Sequence, residues 1–258
     1  MAQTFYKYQG TGNDFIIIDN RLLKFDKNNT KHITGLCDRR FGIGADGLIL
    51  LENHDELDFK MIYFNADGNE SSMCGNGGRC ITAFAKQLGI IEKTTSFEAI
   101  DGIHDAVIED DMVSLQMQNV ANVLVTKGGL FLDTGSPHHV QIEHRVDHLN
   151  VDKLGAEIRF SGLYGEAGSN VNFVEQLDDT TFKMRTYERG VEAETLSCGT
   201  GVTAAAIAMY HSNKSSEENI TIKTKGGNLN VSFKKTDNGF ENIWLTGKAT
   251  FVFKGELS

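Results

Sequence analysis

Two short segments of the chain set a reactive side chain where its surroundings would activate it: Met73-Cys74-Gly75-Asn76-Gly77 and Ser197-Cys198-Gly199-Thr200-Gly201. Each sets a cysteine and flanking glycines before a helix-like run. The glycines let the backbone turn tightly and bring its N–H groups close to a ligand. The first turn of a helix has N–H groups without partners and a partial positive charge. Such an end binds a carboxylate or phosphate, and it lowers a neighbouring cysteine from about 8.5 towards neutrality. A thiolate that is basic near pH 7, beside a carboxylate clamp, is suited to removing a proton alpha to that carboxylate. One such cysteine would suggest a nucleophile. Two at equivalent positions suggest one base for each face of a stereocentre, which is what racemisation needs. A single base usually returns the proton to the side it came from. Negative charge building on the carboxylate would be stabilised by the two helix ends.

The other two cysteines, Cys37 and Cys80, read as buried core thiols, the commonest state of a free cysteine. Four cysteines make no dense disulfide framework, and a reducing compartment keeps them as thiols. A zinc site gains little support, because no CxxC pair is present. Gly42-Ile43-Gly44-Ala45-Asp46-Gly47 matches GxGxxG literally, but it precedes the strand-like Leu48–Leu51 instead of opening a helix, so a dinucleotide site is rejected.

The two cysteine segments belong to an internal repeat with an offset of about 123–125 residues. Thr11-Gly12 matches Thr134-Gly135. Gly47–Leu51 falls opposite Val171–Glu175, and Met61–Asn65 opposite Met184–Glu188. Ser72–Gly77 falls opposite Leu196–Gly201, and Asp101-Gly102 opposite Gly226-Gly227. A period this long means a duplicated domain. The boundary is expected in the segment Asn119–Gly129, giving an N-terminal domain over 1–121 and a C-terminal domain over 122–249. The leftover strand near Thr250–Lys254 would return, within 250–258, to complete the first domain.

Each half reads as short strands, one helix, then more strands. Phe59–Phe64 and Phe182–Tyr187 have strand length and composition. Ile81, Phe84, Ala85 and Leu88 fall on one helical face, with Gly89 as a stop. Val202–Met209 is apolar on every side, as a buried helix is. Further helices are expected over Thr30–Arg39 and Asp152–Phe160. The fold class is therefore α+β: two pseudo-symmetric domains, each a barrel-like, mostly antiparallel sheet wrapped around a central helix.

Bulk properties set limits. A chain of 258 residues is about where single cores divide. A net charge of −10 with no basic run disfavours nucleic acid and anionic membrane surfaces. No apolar stretch approaches the roughly 18 residues of a membrane span. Met1–Gly10 lacks the apolar core of a signal peptide. The expected location is the cytoplasm.

At the cysteine segments the sequence resembles the diaminopimelate epimerases, essentially end to end. The resemblance is carried by Gly12-Asn13-Asp14-Phe15, Phe64-Asn65-Ala66-Asp67-Gly68, Met73–Gly77, Gly135-Ser136-Pro137-His138, Asn170-Val171-Asn172-Phe173, Tyr187-Glu188-Arg189-Gly190 and Cys198–Gly201. It implies conversion of LL-2,6-diaminoheptanedioate to the meso form in lysine and peptidoglycan precursor synthesis, with no cofactor and no metal, by a homodimer. It implies Cys74 and Cys198 as the acid/base pair. The backbone of Gly75-Asn76 and Gly199-Thr200 would hold the reacting carboxylate, and Asn13, Asn65, Asn170, Glu188 and Arg189 would read the amino and distal groups. His138 and Glu188 stand where the family places residues that tune the thiols. Ser136 stands where many members have Asn, and Gly47 where some have Gln. The stretch from Glu188 to Cys198 is one residue longer than in some relatives. Two alternatives stay open: a proline- or hydroxyproline-type racemase, which would carry His where this chain has Asn76, and an amino-acid-binding protein without turnover.

Overall fold

The computed structural model describes residues 3–71 and 73–257. Ser72 of the cysteine-centred match, residues 1 and 2 of the first domain and Ser258 of the returning segment lie outside them. The chain divides into two compact units: Met1–Leu115 with Gly247–Ser258, and Gln116–Thr246. Among the described residues, no helix is long and apolar enough to cross a membrane.

The first unit contains β1 (Gln3–Gly10), β2 (Asn13–Asp19), α1 (Thr30–Cys37), β3 (Gly47–Glu52), β4 (Phe59–Asn65), α2 (Gly75–Gln87), β5 (Thr94–Ala99), β6 (Gly102–Glu109) and the start of β7 (Met112–Met117). The second contains β8 (Leu124–Thr126), β9 (Gly129–Asp133), β10 (Pro137–Ile142), α3 (Val151–Arg159), β11 (Asn170–Gln176), β12 (Thr181–Glu188), β13 (Ala193–Thr195), α4 (Gly199–His211), β14 (Asn219–Thr224), β15 (Gly227–Thr236) and most of β16 (Gly239–Lys248). β17 (Thr250–Leu257) belongs to the first unit, where it pairs antiparallel with β1.

The two units share one pairing scheme. In the first, β17, β1, β2, β3, β4, β5, β6 and β7 pair in that order, with only β2/β3 and β4/β5 parallel. In the second, β8, β9, β10, β11, β12, β14, β15 and β16 do the same, with only β10/β11 and β12/β14 parallel. Helix α2 packs against β17, β1, β2, β3 and β6, so strands from distant positions in the order reach one helix and the sheet curves around it. Helix α4 packs likewise against β9, β10, β11, β12, β14 and β15. The expected mixed, mostly antiparallel architecture is the observed one.

Register explains the burial. Along β3, Leu48 and Leu50 join Ile33, Leu36 and Cys37 of α1 in one cluster. Their alternates face α2, where a Cβ on Gly77 would touch the end of Ile49. A strand covered on both sides reads as a continuous apolar run, and all six residues of β3 are buried. In the second unit Val171 and Phe173 pack with Val151 beneath α3, while Asn172 points to α4. All residues from Val202 to Met209 are buried, each large aliphatic side chain contributing about 1.5–3 kcal/mol. The central helices also end alike. Gly89, at φ 71°, and Asn213, at φ 57°, adopt the left-handed conformation that closes a helix. The next residues return their N–H groups to Ala85 O and Met209 O at 3.0 and 2.9 Å.

Two expectations are corrected. The first helix ends at Cys37, not Arg39, because Asp38 turns extended and its carboxylate takes the N–H groups of Arg40 and Phe41, both at 2.7 Å. The internal match of β3 is also one residue out. Leu51 pairs with Met61 and Val174 with Met184, so the offset is 123 through both hairpins and Gly47 corresponds to Asn170, not Val171. The offset becomes 124 only at the cysteines, so one residue has been added after Glu188. Gly42–Asp46 runs between α1 and β3 and Gly47 opens β3, so the segment leads into a strand and not into a helix.

Candidate active site

Each cysteine is the residue immediately before a central helix. Cys74 caps α2 with φ −88° and ψ 125°, and Cys198 caps α4 with φ −123° and ψ 115°. Both are partly buried, and neither side chain caps its helix. The first helical bonds run from Gly78 N–H to Cys74 O at 2.7 Å and from Val202 N–H to Cys198 O at 2.9 Å. The N–H groups of Gly75-Asn76 and Gly199-Thr200 therefore have no acceptor within the helix.

Around Cys198 the second unit builds a polar chain. The Cys198 sulfur lies 3.4 Å from Thr200 Oγ1, and Thr200 Oγ1 lies 2.9 Å from His138 Nε2. His138 Nδ1 lies 3.1 Å from Asn172 Nδ2, and Asn172 Oδ1 accepts the Thr186 hydroxyl at 2.9 Å. Asn172 Nδ2 also donates to His139 O at 3.1 Å. An amide nitrogen can only donate, so His138 Nδ1 is the acceptor and Nε2 carries the hydrogen. That hydrogen occupies a lone pair of Thr200, leaving its O–H free to point at the Cys198 sulfur. Burial, with Arg189 nearby, lowers His138 to about 3, so the ring stays neutral. Thr134 Oγ1 donates to Thr200 O at 2.9 Å. Gly201 is needed here, because a Cβ would lie 2.6 Å from Asn172 Oδ1.

Around Cys74 the first unit builds a different network. Asn76 Nδ2 donates to Asn13 Oδ1, and Asn13 Nδ2 donates to Asp46 at 2.9 Å. Asn76 Oδ1 accepts from Arg79 Nη2 at 2.8 Å and from the Thr11 hydroxyl at 3.1 Å. Arg79 is fully buried. Asp46 pairs with Arg39 at 2.7 Å. Gly10 leaves the room, since a Cβ there would approach Asn76 O, the Cys80 sulfur and Arg79 Nη2.

The remaining expected residues fall out as follows. Asn65 is exposed at the end of β4, where its backbone closes the turn to Gly68. Asn170 is buried and its amide is spent on structure: it donates to Ser136 Oγ and Pro137 O, both at 3.0 Å, and accepts the Arg189 N–H at 2.9 Å. Arg189 follows β12, its guanidinium 3.4 Å from Ala167 O, and Glu188 is partly buried beside it. At Gly47 no side chain fits, because a Cβ would meet Phe64 O and the Tyr63 ring, both at 2.5 Å. Cys37 and Cys80 are buried thiols, pushed up to about 11 and about 12 by that burial. Among the described residues, no group of three or more His, Cys, Asp and Glu side chains is placed to hold a metal ion. Sequence reasoning missed Thr11, Asp46, Arg79 and Asn172. Only a polar or charged residue inside an otherwise apolar helix or strand pattern signalled Arg79 and Asn172.

The family model described as diaminopimelate epimerase matches residues 5–123 and 130–252. The diaminopimelate epimerase of Flavobacterium psychrophilum is 61% identical over 250 residues, covering 96% of this chain and 98% of that protein. Among solved structures, the phenazine biosynthesis protein of the PhzF family from Bacillus anthracis superposes with a TM-score of 0.79 at 13% identity, covering 100% of this chain and 99% of that one. A probable proline racemase from Agrobacterium radiobacter gives 0.68 at 14%, covering 99% and 93%. At such low identity these two structures speak for the fold alone. The family match and the close relative together establish that the chain belongs to the diaminopimelate epimerase family.

Proposed function

We propose that this protein interconverts LL- and meso-2,6-diaminoheptanedioate by a two-base reaction of Cys74 and Cys198 without a cofactor. The observation that carries the reading is the matched position of the two cysteines, each immediately before the central helix of its repeat. The thiolate of one cysteine takes the proton from the alpha carbon, and the C–H electron pair moves onto the carboxylate. The thiol of the other gives its proton to the opposite face. The stereocentre inverts, and the enzyme is left with thiol and thiolate exchanged; proton exchange of the thiols with water restores the starting state.

The N–H groups of Gly75-Asn76 and Gly199-Thr200, which the helices themselves do not use, hold the reacting carboxylate and stabilise charge that grows as the proton leaves. Asn13 braces Asn76 in that position. Arg189 takes the distal carboxylate, for which its planar fork is suited, and Glu188 and Asn65 take the ammonium. Asn170 acts through Arg189, whose backbone it holds. His138, kept neutral by burial, tunes Cys198 through Thr200. The enzyme works as a cytoplasmic homodimer supplying lysine and peptidoglycan precursors.

The test is incubation of LL-diaminopimelate in deuterium oxide, followed by proton NMR and chiral separation. The expected result is deuterium at one alpha carbon and appearance of the meso isomer, both lost in Cys74→Ala or Cys198→Ala protein. Binding without exchange would identify an amino-acid-binding protein. Turnover of proline instead would identify the racemase alternative.

A further inference from the structure

Arg79 has no exposure to solvent, yet among the described residues no Asp or Glu oxygen lies within ion-pair distance of it. Its Nε has no hydrogen-bond partner. The remaining bonds all point into the first turn of α2 and its surroundings: Nη1 to Gly75 O at 3.3 Å, Nη2 to Asn76 Oδ1 at 2.8 Å and Nη2 to Thr11 Oγ1 at 3.0 Å. A guanidinium keeps its proton in proteins, and a buried charge without a partner is costly. Some negative group is needed to balance it. Burial lowers the Arg79 pKa, and the two groups that act against this are the thiols of Cys80 and Cys74. Cys80 is fully buried and held as a thiol. Cys74 is the partly exposed one.

The other repeat has nothing comparable. At the helix position equivalent to Arg79 stands Thr203, which donates to Gly199 O at 3.1 Å just as Arg79 donates to Gly75 O. Where the first unit has apolar Phe15 and Ile49, the second has neutral His138 and Asn172. One helix start is thus backed by a fully buried cation, whereas the other is backed by neutral dipoles and the cation near them, Arg189, is only partly buried. We propose that Arg79 is the counter-charge of Cys74, so that without substrate Cys74 is the thiolate and Cys198 the thiol. This rests on the epimerase reading for what the thiols do, and it assigns the resting protonation state.

The other charged groups on the packed elements do not reverse this. Lys7 and Asp14 pair with each other at 2.8 Å on the face of β1 and β2 turned away from α2, since Tyr6 and Tyr8 are the β1 residues that meet Phe84. Asp101, before β6, faces His104 at 3.1 Å and accepts the Met73 N–H, and those bonds hold its charge. Glu52 on β3 is bound by Asn20 and Lys27.

The test titrates each thiol alone. Iodoacetamide alkylation is followed against pH in Cys198→Ala and in Cys74→Ala protein, with the modified peptide identified by mass. Cys74 should have its midpoint about one pH unit or more below Cys198, a ten-fold difference in thiolate fraction at neutral pH. Equal midpoints, or a lower one for Cys198, overturn the assignment. In the Cys198→Ala background, Arg79→Met should raise the Cys74 midpoint by about one unit and Arg79→Lys should restore it. In the Cys74→Ala background, Arg79→Met should leave Cys198 unmoved. A shift of both thiols, or of neither, overturns the proposal. If Arg79→Met does not fold, the comparison of the two proteins that retain Arg79 decides. None of these readouts needs turnover, so failure here is separable from failure of deuterium exchange.

Discussion

Asn172 Nδ2 lies 3.1 Å from His138 Nδ1, and this one contact between β11 and β10 fixes which nitrogen of the ring carries its hydrogen. The consequence passes through Thr200 to the sulfur of Cys198. Replacing Asn172 by Leu keeps its bulk but leaves the Thr186 hydroxyl and His138 Nδ1 without partners. Leaving buried polar groups unsatisfied costs about 1–3 kcal/mol, measurable by urea unfolding. kcat should fall by about ten-fold as the ring loses its fixed tautomer. Unchanged kcat in a folded Asn172→Leu protein would remove the ring's orientation from the mechanism.

The same relay predicts the behaviour of Thr200. Thr200→Val removes the hydroxyl between His138 and Cys198 and should raise the alkylation midpoint of Cys198 by about one pH unit, with kcat lowered by about ten-fold. Thr200→Ser should restore both, because it restores the donor. A Val variant with an unmoved midpoint would mean that the 3.4 Å contact has no influence on the thiol.

The neutral His138 makes stability depend on pH in a defined direction. Its folded value, about 3, lies below the unfolded value near 6.5. Between those values the unfolded chain binds the extra proton. Stability is therefore complete above about pH 6.5 and falls as pH drops towards 3, by at most about 1.4 kcal/mol per unit from this residue. Urea unfolding at pH 7 and pH 5 should show a smaller loss in His138→Gln than in the native protein. Equal losses would mean that the ring is not held neutral.

Two glycines predict opposite signs for the same substitution. Gly201→Ala drives a Cβ to 2.6 Å from Asn172 Oδ1. The overpacking should cost about 1–3 kcal/mol and lower kcat by disturbing Asn172. At Gly35, within α1, an added Cβ would meet no atom within 4 Å. Gly35→Ala should stabilise by about 0.5–1 kcal/mol through helix propensity, with kcat unchanged. Thermal unfolding of both variants is the check.

The duplication, the two Cys-Gly-x-Gly helix starts, the apolar run of α4 and the stop at Gly89 are all legible in the amino-acid order alone. Each depends on neighbours a few residues away or on direct comparison of the halves, which is what local chemistry and periodicity can express. Pairing between distant strands settles the rest. The ladders put the repeat in register at 123 residues, where a comparison of apolar runs is one residue out at β3 because any alignment of all-buried residues looks equally good. They also turn Asn172 towards α4 and His138, close the space beside Gly47 with Tyr63, and give the Asn170 amide to Ser136, Pro137 and Arg189. Arg79 shows in sequence only as a charge within an otherwise apolar helix pattern. Only its complete burial within the curved sheet turns it into an unbalanced charge, because desolvation is a property of the assembled core and not of the residue.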